Sequence, residues 1–312
     1  MGPAGADRGR PAVQGAGPVT RLSEGARQER RLGWLLCAPA VLVMLAVTAY
    51  PVLYALYLSL HRYDLRFPQL ARFVGLDNYA AVLSSGFWWE AFQVTCLITV
   101  VSVAVELALG MGLAVVMHRA ILGRPAVRTA VLLPYGIVTV VAAFSWQYAW
   151  TPGIGYLVDS AGEAPLTDHW KAIGLIILAE VWKTTPFMAL LLLAGLALVP
   201  EETLRAAMVD GATRWQRFRL VTLPLMKPAI LVALLFRTLD AFRIFDNIYV
   251  LTQGSNGTGS VSILGYDNLF TALNLGIGSA ISVLIFLCVA VIAFAFIRLF
   301  GTAAPGSEDT GR

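Results

Sequence analysis

The sequence predicts an all-α membrane protein with six transmembrane helices, and three observations lead there: its overall apolarity, the number and length of its apolar runs, and the lopsided placement of its arginines. Of 312 residues, 58% are hydrophobic and 13% are charged, and the mean hydropathy is +0.71. Soluble domains carry about a quarter of their residues as charged types. The composition therefore excludes a soluble domain and assigns the chain to a bilayer.

A helix rises about 1.5 Å per residue and the hydrocarbon core is about 30 Å thick, so a span needs about 20 apolar residues. Six runs reach that length: residues 33–60, 91–117, 126–150, 173–199, 229–251 and 279–300. The third is softened by Pro134 and Gly136, and the fifth carries four charges. The first run is too long, and starts too far from Met1, for the apolar region of a cleavable signal peptide, so it is expected to stay as a span. Residues 1–28, rich in Gly, Ala, Arg and Pro without apolar periodicity, are expected to form a disordered cytoplasmic tail, and 302–312 another. Residues 29–301 read as one six-span domain.

Basic residues favour the cytoplasmic side. With the N-terminus inside, the cluster ending in Arg30 and Arg31, then Arg119, Arg124 and Arg128, then Arg205, Arg214, Arg217, Arg219 and Lys227, and finally Arg298 and Arg312 all fall in the cytoplasm. Only Arg62, Arg66, Arg72 and Lys171 fall outside, so both termini are expected inside. The net charge of +4 is this bias summed over the chain and implies no nucleic acid. Cys37, Cys96 and Cys288 lie in apolar runs without metal or redox spacing and read as small core residues. His61, His118 and His169 form no cluster, so no metal site is expected.

Catalytic signatures are missing from the sequence. Lys183-Thr184 follows Trp182 where a phosphate-binding loop needs glycine, and neither His-Glu-x-x-His nor Gly-x-Ser-x-Gly occurs. The chain is expected to transport rather than catalyse, with no cofactor of its own.

Charges within the spans should line a wet pathway or pair, because each costs about 2.5–3.5 kcal/mol at a span centre. Arg237, Asp240, Arg243 and Asp246 alternate in sign at three-residue spacing, which suits either an ion ladder along one helix or a polar pathway. Glu180 and Lys183 stand beside Trp182, Thr184, Pro186 and Phe187, and by spacing alone they read as an intrahelical pair with Trp182 and Phe187 as packing.

The segment 200–228 is basic and amphipathic between two apolar runs. Ala206 and Ala207 allow close approach at a helical turn, Asp210-Gly211 reads as a helix stop, and a second short helix from about Thr213 is limited by Pro224 and Pro228. The spacing Ala206, Ala207, Gly211, Val221, Leu223, Pro224, with Asp210 and Ala212 flanking the glycine, resembles the cytoplasmic Glu-Ala-Ala loop of permease subunits of binding-protein-dependent ABC importers. The family's glutamate is Arg205 here, while Glu201 and Glu202 come a turn earlier, so a glutamate contact to the ATPase is not carried over.

From about Leu32 to Phe300 the chain is similar to the first permease subunit of carbohydrate importers, of the maltose-permease kind and most like the trehalose importers of mycobacteria. The stretches Leu133-Pro134-Tyr135, Trp182 to Met188, Arg237 to Thr252 and Ser260 to Tyr266 carry the likeness. The resemblance implies the type I ABC importer permease fold, docking of a cytoplasmic ATPase dimer on Arg205, Ala206, Ala207, Asp210, Gly211, Ala212, Leu223 and Pro224, and ATP and Mg in that ATPase. It also implies a second homologous permease, an extracytoplasmic sugar-binding protein, and sugar contacts at Glu180, Lys183, Thr184 and Phe187, then Arg237 and Asp240. Two alternatives stay open: an ion-gradient-driven secondary transporter, and an importer for another solute such as a different oligosaccharide or glycerol phosphate.

Overall fold

The computed structural model describes residues 24–119, 124–158 and 164–300. The chain divides into two compact units after Tyr54. Among described residues, the first unit is the N-terminal part of helix α1 (Glu24–Ser59), which runs through Pro39 and Pro51. Leu36, Leu42 and Tyr50 on it are exposed, as apolar side chains facing lipid would be. Because α1 starts at Glu24, residues 24–28 of the expected tail are helical; residues 1–23 and the second expected tail, 302–312, lie outside the described residues.

In the second unit an antiparallel pair, β1 (His61–Arg62) and β2 (Arg72–Phe73), follows the end of α1. Between the two strands, the guanidinium and backbone N–H of Arg66 hold the Asp64 carboxyl down at about 2. Then come α2 (Asp77–Ser84), α3 (Gly86–Arg119), α4 (Arg124–Gly136), α5 (Thr139–Ala149), α6 (His169–Ala197), α7 (Glu201–Val209), α8 (Arg214–Arg217), α9 (Leu223–Ala241), α10 (Asp246–Leu251), α11 (Val261–Tyr266) and α12 (Leu275–Phe300).

Among described residues, Leu32–Ser59, Gly86–His118, His169–Ala197, Arg214–Leu251 and Leu275–Arg298 are long and apolar enough to cross a bilayer. Ala126–Gly136 and Thr139–Ala149, bent by 84° to one another, are consistent with a sixth, broken span. That break falls at the Pro134 and Gly136 that softened the third run. The fifth region departs from expectation. No separate short helix ends at Pro224: α8 passes through a π-helical turn, Phe218–Thr222, directly into α9, with Pro224 in its first turn and Pro228 inside it. A π turn widens the helix where the carbonyl of residue 220 would meet the Pro224 ring, so the proline is accommodated.

Three apolar clusters make the core: Ile98, Ile176 and Ile248 where α3, α6 and α10 meet; Met188, Leu192, Met226 and Ala233 between α6 and α9; and Trp88, Phe242, Val261 and Ile281 where α3, α11 and α12 meet. The pair α3 and α6 has the most extensive contact. Gly110 makes their closeness possible, because a Cβ there would lie 2.8 Å from Met188 Cγ and 3.2 Å from the Ala189 nitrogen. Cys96 and Cys288 pack half-buried against the third cluster, whereas Cys37 is exposed and not a core residue.

Candidate functional site

The α7–α8 connection is built from local chemistry. Glu201 and Glu202 occupy the first turn of α7, where its dipole favours them. Asp210 caps the other end, Gly211 takes the left-handed conformation at φ +81°, its N–H donates to the Met208 carbonyl, and the Ala212 N–H reaches back to the Ala207 carbonyl. This is a Schellman closure, and nothing lies within 4 Å of where a Gly211 Cβ would be, so the glycine is required for its backbone angle and not for space. Thr213 then starts α8 with a reciprocal capping box to Gln216.

Arg205, in place of the family's glutamate, pairs with Glu201 at 2.7 Å on an exposed face, a contact of small energetic weight. Val209 (87% exposed), Met208, Trp215 and Leu220 project from this connection into solvent. Ala206 and Ala207 lie on α7, and Leu223 and Pro224 open α9. The coupling residues expected from the sequence thus form one contiguous turn-and-helix element, with apolar side chains free on its outside.

The second site is a buried ion cluster. The Arg237 side chain is 0% exposed and so is that of Glu106, a residue that the reading of the sequence did not single out. Arg237 donates from Nε to Glu106 Oε2, and from Nη2 to Glu106 Oε1 at 2.9 Å, Glu180 Oε1 at 2.6 Å and Thr184 Oγ1 at 3.0 Å. Its Nη1 donates to Asp240 Oδ2 at 2.6 Å. Thr184 donates to Glu106, and Asn247 Nδ2 donates to the remaining Glu180 oxygen. One guanidinium thus ties α3, α6 and α9 together, and Glu180 extends the tie to α10 through Asn247. Burial of so many charges is tolerated only because nearly every donor and acceptor is matched.

This geometry corrects two expectations. Glu180 does not pair with Lys183: both carboxylate oxygens of Glu180 are engaged by Arg237 and Asn247. Lys183 points instead at the broken span, donating to the Ile137 carbonyl at 2.7 Å and lying over the Tyr135 ring, 5.7 Å from its centre. Nor does the alternating series run as one ladder. Arg237 and Asp240 pair, but α9 ends at Ala241, so Arg243 falls in the break before α10 and Asp246 begins α10.

Of the expected pathway residues, the structure brings Glu180, Thr184, Arg237 and Asp240 together. Asp240 keeps a side chain 71% exposed at the edge of the cluster. Phe187 stands apart, stacked on Tyr135 at 5.4 Å. Among described residues, no group of His, Cys, Asp or Glu is arranged to hold a metal ion.

The family described as "Binding-protein-dependent transport system inner membrane component" matches residues 79–303. The chain belongs to that family. As such an inner membrane component it is a transport subunit, and an ion-gradient-driven carrier is set aside. The permease is 65% identical, over 91% of its length and 93% of the relative's, to a trehalose transport system permease protein, SugA, of Mycobacterium tuberculosis. It is 40% identical, over 87% of its length and 94% of the relative's, to the trehalose/maltose permease MalF of Thermococcus litoralis. Its fold matches a chain in the crystal structure of a bacterial ABC transporter involved in the import of the acidic polysaccharide alginate. The TM-score is 0.77 and the identity 22%, with 90% of the permease and 100% of that chain covered.

Proposed function

We propose that this permease forms half of the translocation pathway of an ATP-driven importer of a disaccharide, trehalose. The observation that carries the reading is the 65% identity to a trehalose permease over almost the full length of both chains. Relatives named for sulfoquinovosyl glycerol and for sn-glycerol 3-phosphate stand at 35% and 32%. A second, homologous permease would complete the pathway, and an extracytoplasmic binding protein would deliver sugar. Both termini and the segment 200–228 would face the cytoplasm, where a separate ATPase dimer holds ATP and Mg.

In that arrangement the exposed Val209, Met208 and Trp215 enter a groove on one ATPase of the dimer. Movement of the ATPases displaces the α7–α8 element as a unit, since the Gly211 closure and the Thr213 box leave it no loose joint. Because α8 continues into α9, the displacement reaches Arg237 and, through its carboxylate partners, α3 and α6. The cluster thus acts as the pin on which the pathway helices move together.

The test is ATP hydrolysis by the purified complex in lipid nanodiscs. Trehalose should stimulate hydrolysis only with the binding protein present. Equal stimulation by sn-glycerol 3-phosphate, or stimulation without the binding protein, would refute this reading.

A further inference from the structure

Beyond the buried cluster the chain builds a second feature, a mainly aromatic and apolar cleft with a few polar groups, of which the reading of the sequence singled out only Arg243. Between α11 and α12 lies a cleft of about 460 Å³, lined among others by Arg243, Phe245, Ser262, Tyr266, Phe270 and Phe286. Clefts of roughly 300–1,000 Å³ are the size that enclose small ligands. Phe245 and Tyr266 lie 5.2 Å apart, Tyr266 and Phe270 4.9 Å, and Tyr249 stacks behind Phe245 at 5.2 Å, so four rings form a continuous wall. Phe270 is 65% exposed. It is carried on a π-helical turn, Asp267–Thr271, followed by Leu273 at φ 55°. Bulges of this kind, and left-handed backbone at a bulky residue, gather where side chains are aimed at a function.

Arg243 lines the cleft from the helix break between Ala241 and Asp246, exposed and without an ion pair or side-chain hydrogen bond among the described residues. A free guanidinium and irregular backbone next to a membrane span need a watery or polar surrounding. An apolar covering would strand Arg243. A ligand with hydroxyls around a flat C–H face would satisfy both the cation and the rings.

We infer that this cleft is a sugar subsite: the ring wall stacks on a pyranose face while Arg243 and the Ser262 hydroxyl hydrogen-bond to its hydroxyls. The inference rests on the transport reading above and moves the sugar contact from Glu180, whose oxygens are already taken, to Arg243 and the exposed rings of Phe270 and Phe286.

The test uses the complete importer in ATP-loaded proteoliposomes with labelled trehalose, and three variants: Phe270→Leu, Phe270→Tyr and Arg243→Gln. Leucine keeps bulk and apolarity but has no ring face. Phe270→Leu and Arg243→Gln should each lower uptake roughly tenfold while copurifying the partner permease as wild type does, and Phe270→Tyr should stay within about twofold of wild type. Wild-type uptake by Phe270→Leu refutes the subsite. A Phe270→Leu variant that loses the partner permease shows that the wall is a subunit interface, which also refutes it. A wild-type complex that takes up no disaccharide overturns the transport reading itself, and the subsite with it.

Discussion

Arg237 on α9 meets Glu106 on α3 through two parallel hydrogen bonds with both side chains fully buried, across 131 positions of sequence. A fork-to-carboxylate pair of this kind fixes orientation as well as distance. Removing either partner leaves an uncompensated buried charge, which costs about 3–5 kcal/mol. Arg237→Met and Glu106→Gln are therefore each expected to lower the melting temperature of the detergent-solubilised complex and its yield, with the double variant less impaired than the two losses summed. Additive losses in thermal melts would show that the two side chains do not act as a pair.

Glu180 gives a sharper case. Its two oxygens both accept, one from Arg237 and one from Asn247. Glutamine supplies one acceptor and one donor, so Glu180→Gln sets a donor against Arg237 or against Asn247, at a cost of about 1–3 kcal/mol. Adding Asn247→Asp should restore stability, because the new amide then finds an acceptor. Adding Lys183→Met should not. Rescue by Lys183→Met and none by Asn247→Asp would reinstate a Glu180–Lys183 pair.

Lys183 has a different task. Its ammonium donates to the Ile137 carbonyl in the break between α4 and α5. Charge-assisted bonds of this type contribute about 1.5–3 kcal/mol. In Lys183→Met, amides around 134–142 should exchange with deuterium roughly ten times faster or more, with those of α6 little changed. Unchanged exchange at the break would mean that Pro134 and Gly136 maintain it alone.

Gly211 occupies a backbone conformation that a β-branched side chain adopts only with strain of about 1–3 kcal/mol. Gly211→Val should insert into the membrane normally but copurify the ATPase poorly, and Gly211→Asn, which tolerates left-handed backbone, should keep most of the binding. Full ATPase recovery with Gly211→Val would separate this turn from docking.

Much of this was legible in the sequence, and for identifiable reasons. Span positions follow from apolar runs, and the turn at Gly211 and the cap at Thr213 follow from residues that interact within one helical turn. Local spacing gave Arg237 its neighbour Asp240 correctly. It offered Lys183 to Glu180, whose partners Arg237 and Asn247 arrive from α9 and α10, and it could not show Glu106 and Glu180 reaching Arg237 from α3 and α6. Glu106 was visible as a lone acid in the run 91–117, and the cost of an unpaired charge there was the available signal. The aromatic wall escaped because its rings come from α10, α11 and the turn after it, and no single period joins them.

The most direct test of the whole account is trehalose uptake by proteoliposomes holding the complete importer, with binding protein outside and ATP inside, before and after ionophores collapse the proton and sodium gradients. Uptake should require both ATP and binding protein and should survive the collapse unchanged. Uptake that persists without ATP, or stops when the gradients are abolished at constant ATP, would contradict it.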